Sequence, residues 1–274
     1  MVRRPLAVAL LLSGVAALAS SCSSTSSSPA ADAGADAGPQ VAVPDAAPEP
    51  TDAAPEPQPD AAPIDAGPDP LLGCTRDPGP PALTVDANSP TDPIGGADKF
   101  TLDKALEGFP AGTGKLTASI RTEYGYITCE LFADKAPISV ANFVGLARGT
   151  RPFKGKTGWT FGRFYDGLIW HRVIPDFVIQ GGDPLGKGTG GPGYSLIEEN
   201  HVEEPTGTLA MAASDVPSGS QFYVVVGTGP AADYNVFGMC NTQVAVAIAG
   251  VPRGAGDKPK TPVHMERIEI GRCP

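Results

Sequence analysis

The stretch WHRVIPDFVIQGGDP, residues 170–184, sets one permanent cation, Arg172, and one amide, Gln180, in an otherwise mostly apolar run. Pro175-Asp176 lies between them, and two glycines follow. Pro-Asp is turn chemistry, so the arms WHRVI and FVIQGG should run antiparallel. Arg172 and Gln180 are equally far from Asp176 and then lie roughly opposite each other. Val178 and Gln180 share a face by the strand period of two. One wall thus carries a cation, an amide and an apolar patch. Taken alone, the same pattern also fits an edge-strand arginine that faces solvent.

Outward from this stretch the chain continues as short apolar runs between Gly-rich turns: GTLAMAA, SQFYVVVG, NVFGMC and HMERIEIGR. Such spacing predicts a mainly β fold, a closed barrel or a sandwich. Upstream, KLTASIRTEYGYITCELF reads as a hairpin broken at Tyr124-Gly125. In APISVANFVGLARG, Val140, Phe143, Val144 and Ala147 recur at helical spacing, with Pro137 in the first turn and Gly149 at the stop. RPFKGKTGWTFGRFYDG is a polar excursion. KFTLDKALEGF predicts a short helix ended by Pro110, and residues 75–98 an irregular lead-in. QVAVAIAG alternates, so its periodicity predicts a strand.

The formal net charge is −10 over 274 residues, but the acid is unevenly placed. Between Ser23 and Pro70 there are nine carboxylates, eleven prolines and no Lys, Arg or aromatic residue. Such a segment cannot bury enough apolar surface to offset ordering, and predicts a disordered tether over residues 23–70. Residues 71–274 hold 21 acids against 18 bases. That balance offers no phosphate-binding surface, so nucleic acid is not an expected partner. The start, MVRRPLAVALLLSGVAALASSC, has two arginines, a short apolar core and small residues, the pattern of a secretory signal over residues 1–22. Its end resembles a bacterial lipobox with Cys22 as the lipidated residue, although Ala19 stands where Leu is usual. Ser23 after it predicts an outer-membrane lipoprotein that faces the periplasm. The alternative is cleavage near Ala19 and full secretion.

Four cysteines remain: Cys74, Cys129, Cys240 and Cys273. An even number in an exported chain favours disulfides. An outer and an inner pair is the natural pattern, but three pairings are open. No two cysteines are close in sequence and the histidines are scattered, so no metal is expected.

Several other chemistries fail on particular residues. GGDPLGKGTGG has Gly188 where a phosphate loop needs Ser or Thr, and Pro192-Gly193 block the helix that should follow. Ser220 sits in no G-x-S-x-G elbow. Glu198-Glu199 and Glu203-Glu204 read as a solvated turn rather than as an acid–base pair.

The opening stretch closely resembles FHRVIPxFxxQGGD, the hallmark of the cyclophilins. The resemblance continues in order through ELFADKAPISVANFVGLARG, GKGTGGPGY, GTLAMAAS, SGSQFYV and NVFG, and covers about residues 115–271. It implies a closed eight-stranded antiparallel barrel capped by two helices over residues 115–274, preceded by a lead-in over 71–114. QVAVAIAG then becomes the second helix, against its periodicity. It also implies a peptidyl-prolyl cis–trans isomerase, monomeric and free of cofactors, that acts on proline-containing segments of exported proteins. Membrane contact would come only through the lipid. The competing reading is a non-catalytic proline-peptide-binding or chaperone module on the same barrel.

By motif position the resemblance makes Arg172, Phe177 and Gln180 catalytic. Phe177, Val178 and Tyr223 would line the proline pocket, with Tyr234 on its far side. Gln180 would bind the substrate carbonyl and help orient Arg172. Gln221 would be a second polar contact, and Gly188 with the backbone of Ala212 and Ala213 would track the residues before proline. Four positions depart from the commonest pattern: Val178 for Met, Tyr223 for Phe, Ala213 for Asn and Tyr234 for His. The rim segment GTGPAADYN lacks the Trp that cyclosporin leans on in this family; Gly229 or Pro230 falls there. The same alignment implies a Cys129–Cys240 bond in the core, which leaves Cys74 to staple the lead-in to Cys273.

Overall fold

The computed structural model describes residues 67–200, 202–230 and 234–274. The signal, Cys22 and nearly all of the tether lie outside the described residues. The sheet is built from β1 (Lys115–Thr122), β2 (Gly125–Leu131), β3 (Arg172–Val173), β4 (Val178–Gly181), β5 (Thr208–Ala213), β6 (Pro217–Val225), β7 (Val236–Cys240) and β8 (Arg267–Cys273). All neighbours pair antiparallel, in the order β8-β1-β2-β7-β5-β6-β4-β3. The two ends then meet. Leu168–Ile169, just before β3, pairs with His264–Met265, just before β8. The Trp170 N–H donates to the Val263 carbonyl at 2.9 Å across the same seam. The ladder closes into a barrel of these eight strands, which leaves little free edge.

Helix α1 (Pro137–Arg148) starts at a proline and stops at Gly149, whose φ of 88° is left-handed. Phe143 plugs the barrel, with ring centroids 5.3 Å from Tyr165 and Phe222 and 5.2 Å from Phe237. Its complete burial contributes about 1.5–3 kcal/mol. Helix α2 is Gln243–Ala249. The strand read from the alternation of QVAVAIAG is therefore overturned. Ala245, Ile248 and Ala249 face the core at helical spacing, while Val246 is 49% exposed. Short apolar runs satisfy both periods, and packing against the barrel selects the helix.

The lead-in has little regular structure yet is firmly anchored. Thr75–Arg76 adds to β8 beside the Cys74–Cys273 disulfide. Thr101 caps a short helix, Leu102–Ala105. Trp159, in the polar excursion, donates from Nε1 to the Ser89 carbonyl at 3.0 Å. Two fully buried arginines at the end of α1 find their carboxylates in this segment: Arg148 pairs with Asp77 at 2.8 Å and Arg151 with Asp92 at 2.6 Å. The Arg151 guanidinium lies 4.9 Å from the Phe100 ring centre and 4.2 Å from that of Tyr194. The second disulfide joins Cys129 on β2 to Cys240 on β7, which are register partners.

An ion pair of this kind is expensive to break, because removal of one partner strands the other charge in the interior. Asp92→Ala should therefore destabilise the domain by about 3–5 kcal/mol. Urea unfolding of the variant against the parent chain measures this. A loss below about 0.5 kcal/mol would class Asp92 with the solvated surface pairs.

Candidate active site

The site begins with the turn of the opening stretch. The Phe177 N–H donates to the Ile174 carbonyl at 3.2 Å, and Asp176 takes a φ of 57°. Pro at the second position and positive φ at the third make a type II geometry. The result is the pairing Arg172↔Gln180 and Val173↔Ile179. The turn is locked from outside by β6 and its continuation: the Val226 N–H donates to the Phe177 carbonyl and that of Thr228 to the Asp176 carbonyl. Gly227 is required there, since a Cβ would lie 2.2 Å from the Asp176 carbonyl oxygen.

Arg172, Phe177, Val178, Gln180, Ala212, Ala213, Tyr223 and Tyr234 all line one depression of about 150 Å³, with Pro230 as a further wall. Val178 and Tyr223 are buried, and Tyr223 meets Tyr234 edge to face at 5.6 Å. Gly188 and Gln221 line the adjoining groove, which shares Gln180, Ala212 and Ala213 with the depression. The sequence-derived residues thus converge on two connected hollows.

The contact of Gln180 differs from the expectation. Its Nε2 donates to Gln221 Oε1 at 3.1 Å, and Gln221 in turn donates to the Gly190 carbonyl at 2.8 Å. The two amides thus form a strut between β4, β6 and the Gly-rich loop rather than an orienting bond to Arg172. Among the described residues, the carboxylate paired with Arg172 is that of Asp257, 4.0 Å from Nε. Asp257 sits at a φ of 58° and also pairs with Arg253 at 3.6 Å. Arg172 also stands 6.0 Å from the Phe177 ring centre, and both side chains are open to the hollow.

The solvated turn expected at residues 198–204 is likewise corrected. Glu199 accepts the backbone N–H groups of Ile138 and Ser139, each at 2.7 Å, and so caps α1. Glu204 is buried and accepts the Tyr223 hydroxyl at 2.5 Å. Burial, reinforced by this carboxylate, pushes the Tyr223 hydroxyl far above its ordinary range, so it stays protonated. A tyrosine where phenylalanine is usual requires a partner for its hydroxyl. That was the available signal for Glu204; Asp257, in the turn GAGD, gave none.

Asp183 organises the Gly-rich loop. Its carboxylate accepts the N–H groups of Leu185, Lys187, Gly188 and Thr189 at 2.5–3.1 Å. Burial would raise its pKa, but the N–H donors outweigh that and hold it below the usual range. The amides that a phosphate loop would present to a nucleotide are thus occupied by the chain's own carboxylate.

Comparison with known proteins agrees with this geometry. The family model described as cyclophilin type peptidyl-prolyl cis-trans isomerase/CLD matches residues 117–270. Peptidyl-prolyl cis-trans isomerase A of Mycobacterium tuberculosis is 42% identical over 166 residues, 56% of this chain and 91% of that protein. Peptidyl-prolyl cis-trans isomerase B of Streptomyces anulatus is 41% identical over 170 residues, 57% and 97% respectively. Among solved structures, a cyclophilin type isomerase of Cryptosporidium parvum aligns with a TM-score of 0.50 at 26% identity, over 59% of this chain and all of that one. The chain belongs to the cyclophilin-type peptidyl-prolyl cis-trans isomerases. Its activity is the cis–trans isomerisation of peptidyl-prolyl bonds.

The rim also bears on inhibition. Pro230 lines the depression, and Gly229 is pressed against Glu204, where a Cβ would lie 2.1 Å from the backbone oxygen. Trp159 is 3% exposed and stacks on Tyr194, and Trp170 is fully buried, so neither supplies an indole there. Loss of one aromatic contact and one hydrogen bond weakens a ligand by roughly tens- to hundreds-fold. Cyclosporin should therefore inhibit this isomerase only well above the nanomolar range. An inhibition titration in a peptide assay decides it, and nanomolar inhibition would contradict this account of the rim.

Proposed function

We propose that the chain isomerises Xaa-Pro bonds of exported proteins in the bacterial cell envelope, with Arg172 as the group that lowers the barrier. Rotation about the bond faces about 18–20 kcal/mol because amide resonance must be broken. No covalent bond changes, so neither nucleophile nor metal is called for. The twisted amide has a pyramidal nitrogen that can accept a hydrogen bond. A guanidinium is a permanent donor, and a contact better made in the twisted state than in the planar one accelerates rotation. The observation that carries this reading is that Arg172 and Gln180 are paired across the hairpin and line one depression together with Phe177, Val178 and Tyr223. In it Phe177, Val178 and Tyr223 hold the proline ring, and Gln180 binds the substrate carbonyl.

The cellular setting rests on different residues. Two disulfides favour an oxidising compartment. The signal-like N-terminus and Cys22 supply an export route and an anchor. The Pro- and Asp-rich composition after Cys22 is that of a linker between anchor and domain, which supports this setting. Cys22→Ala should abolish incorporation of labelled palmitate and release the domain from the membrane fraction. Labelling that survives in this variant, or no label in the parent chain, would remove the lipid from the proposal.

For the chemistry, Arg172→Ala should lower kcat/KM by at least a hundredfold with an unchanged melting temperature, since the side chain is 40% exposed and braces nothing in the core. Arg172→Lys should restore little, because an ammonium cannot reproduce the planar fork. A protease-free NMR exchange assay on an Xaa-Pro peptide measures both. Retention of most activity in Arg172→Ala would refute the assigned role.

A further inference from the structure

A second basin of about 420 Å³ adjoins the proline depression, with His171, Arg172, Lys187, Gly188, Gly256 and Lys258 among its walls. Arg172 and Gln180 border both hollows. The Lys258 ammonium donates to the Gly186 carbonyl at 3.0 Å and so bridges the turn at residues 255–257 to the Gly-rich loop. His171 is 5% exposed, and neither of its ring nitrogens has a hydrogen-bond partner. Burial lowers its pKa, so the ring is neutral at pH 7 and brings a polar wall without charge.

Two carboxylates stand near these cations. Asp183 is turned into the amides of its own loop, and Asp257 is shared between Arg172 and Arg253. Neither neutralises the two lysines, whose side chains belong to exposed residues. A local cationic hollow in a chain of net charge −10 is an electrostatic feature with a specific reach.

We propose that this basin is a subsite for a carboxylate side chain of the substrate, placed just after the isomerised proline. The inference rests on the isomerase reading of the adjoining depression. Residues before the proline have the wall of Ala212 and Ala213 and the groove beyond it. The basin touches neither alanine, so a chain that leaves the proline away from that wall passes over Lys187 and Lys258. Glu or Asp at that place gains two solvent-exposed ion pairs, which together correspond to a preference of about three- to tenfold at low salt.

The test compares peptides that differ only in the residue after proline, Glu or Gln, together with a third that carries Glu before it. NMR exchange with the full chain gives kcat/KM at 20 mM and 300 mM salt. The Glu-after peptide should be favoured about three- to tenfold at low salt, and the preference should shrink at high salt. It should vanish in the double variant Lys187→Gln/Lys258→Gln, read as the ratio of the Glu to the Gln peptide rates within that variant. Equal rates for Glu and Gln, a preference that survives the double variant, or one confined to Glu before proline would each overturn the subsite. Failure to turn over any of the peptides would instead overturn the isomerase reading on which it rests.

Discussion

The pairing of Arg172 with Gln180 across β3 and β4 is the constraint on which the site depends. A slip of one residue would send the guanidinium and the amide to opposite faces of the sheet. The register is fixed from both ends. At the turn, Asp176 holds a positive φ and its carbonyl is engaged by Thr228. At the other end, Gly182 has a φ of 81°, and a Cβ there would lie 2.3 Å from the Ser220 carbonyl oxygen. The Ser220 hydroxyl donates to the Gly182 carbonyl at 2.7 Å. The motif's glycines and its Pro-Asp pair are thus explained by backbone geometry, and its Arg and Gln by chemistry.

Around this hairpin, polar groups do the positioning while the core supplies the stiffness. The Gln180–Gln221–Gly190 chain and the Asp183 nest hold the Gly-rich loop over the site. Glu204 holds the Tyr223 ring in the wall of the depression through its hydroxyl. Each of these groups is half-buried or buried and hydrogen-bonded, which is the condition under which polar groups rigidify a site rather than weaken it. The lead-in extends the same logic to the far side of α1. Its carboxylates neutralise Arg148 and Arg151, so the helix that plugs the barrel is covered on both faces.

Much of this was legible in the sequence, because local rules governed it. The turn at Pro175-Asp176, the register across it, the hairpin of β1 and β2 and the bounds of α1 follow from residue chemistry within a few positions. The ambiguous element was α2, where an alternating run of seven residues fits either period and only the barrel decides. What stayed hidden was long-range pairing. Glu199 lies 61 residues from the helix end it caps, and Glu204 lies 19 from the hydroxyl it accepts. Asp257 is beyond local reach of Arg172 altogether. Carboxylates that read as solvated in sequence are drawn inside by donors that only the fold brings near.

The central claim is that a permanent cation lowers the barrier and that no group in the site exchanges a proton during the reaction. Two titratable side chains beside it are consistent with this: burial keeps His171 neutral at pH 7, and Tyr223 stays protonated far above it. The most direct measurement is kcat/KM for a neutral Xaa-Pro peptide from pH 6.5 to 9 by NMR exchange, which needs no coupling protease. This account predicts a flat profile across that range. A bell-shaped curve, or a single inflection within it, would show that proton transfer contributes and would contradict the role given to Arg172.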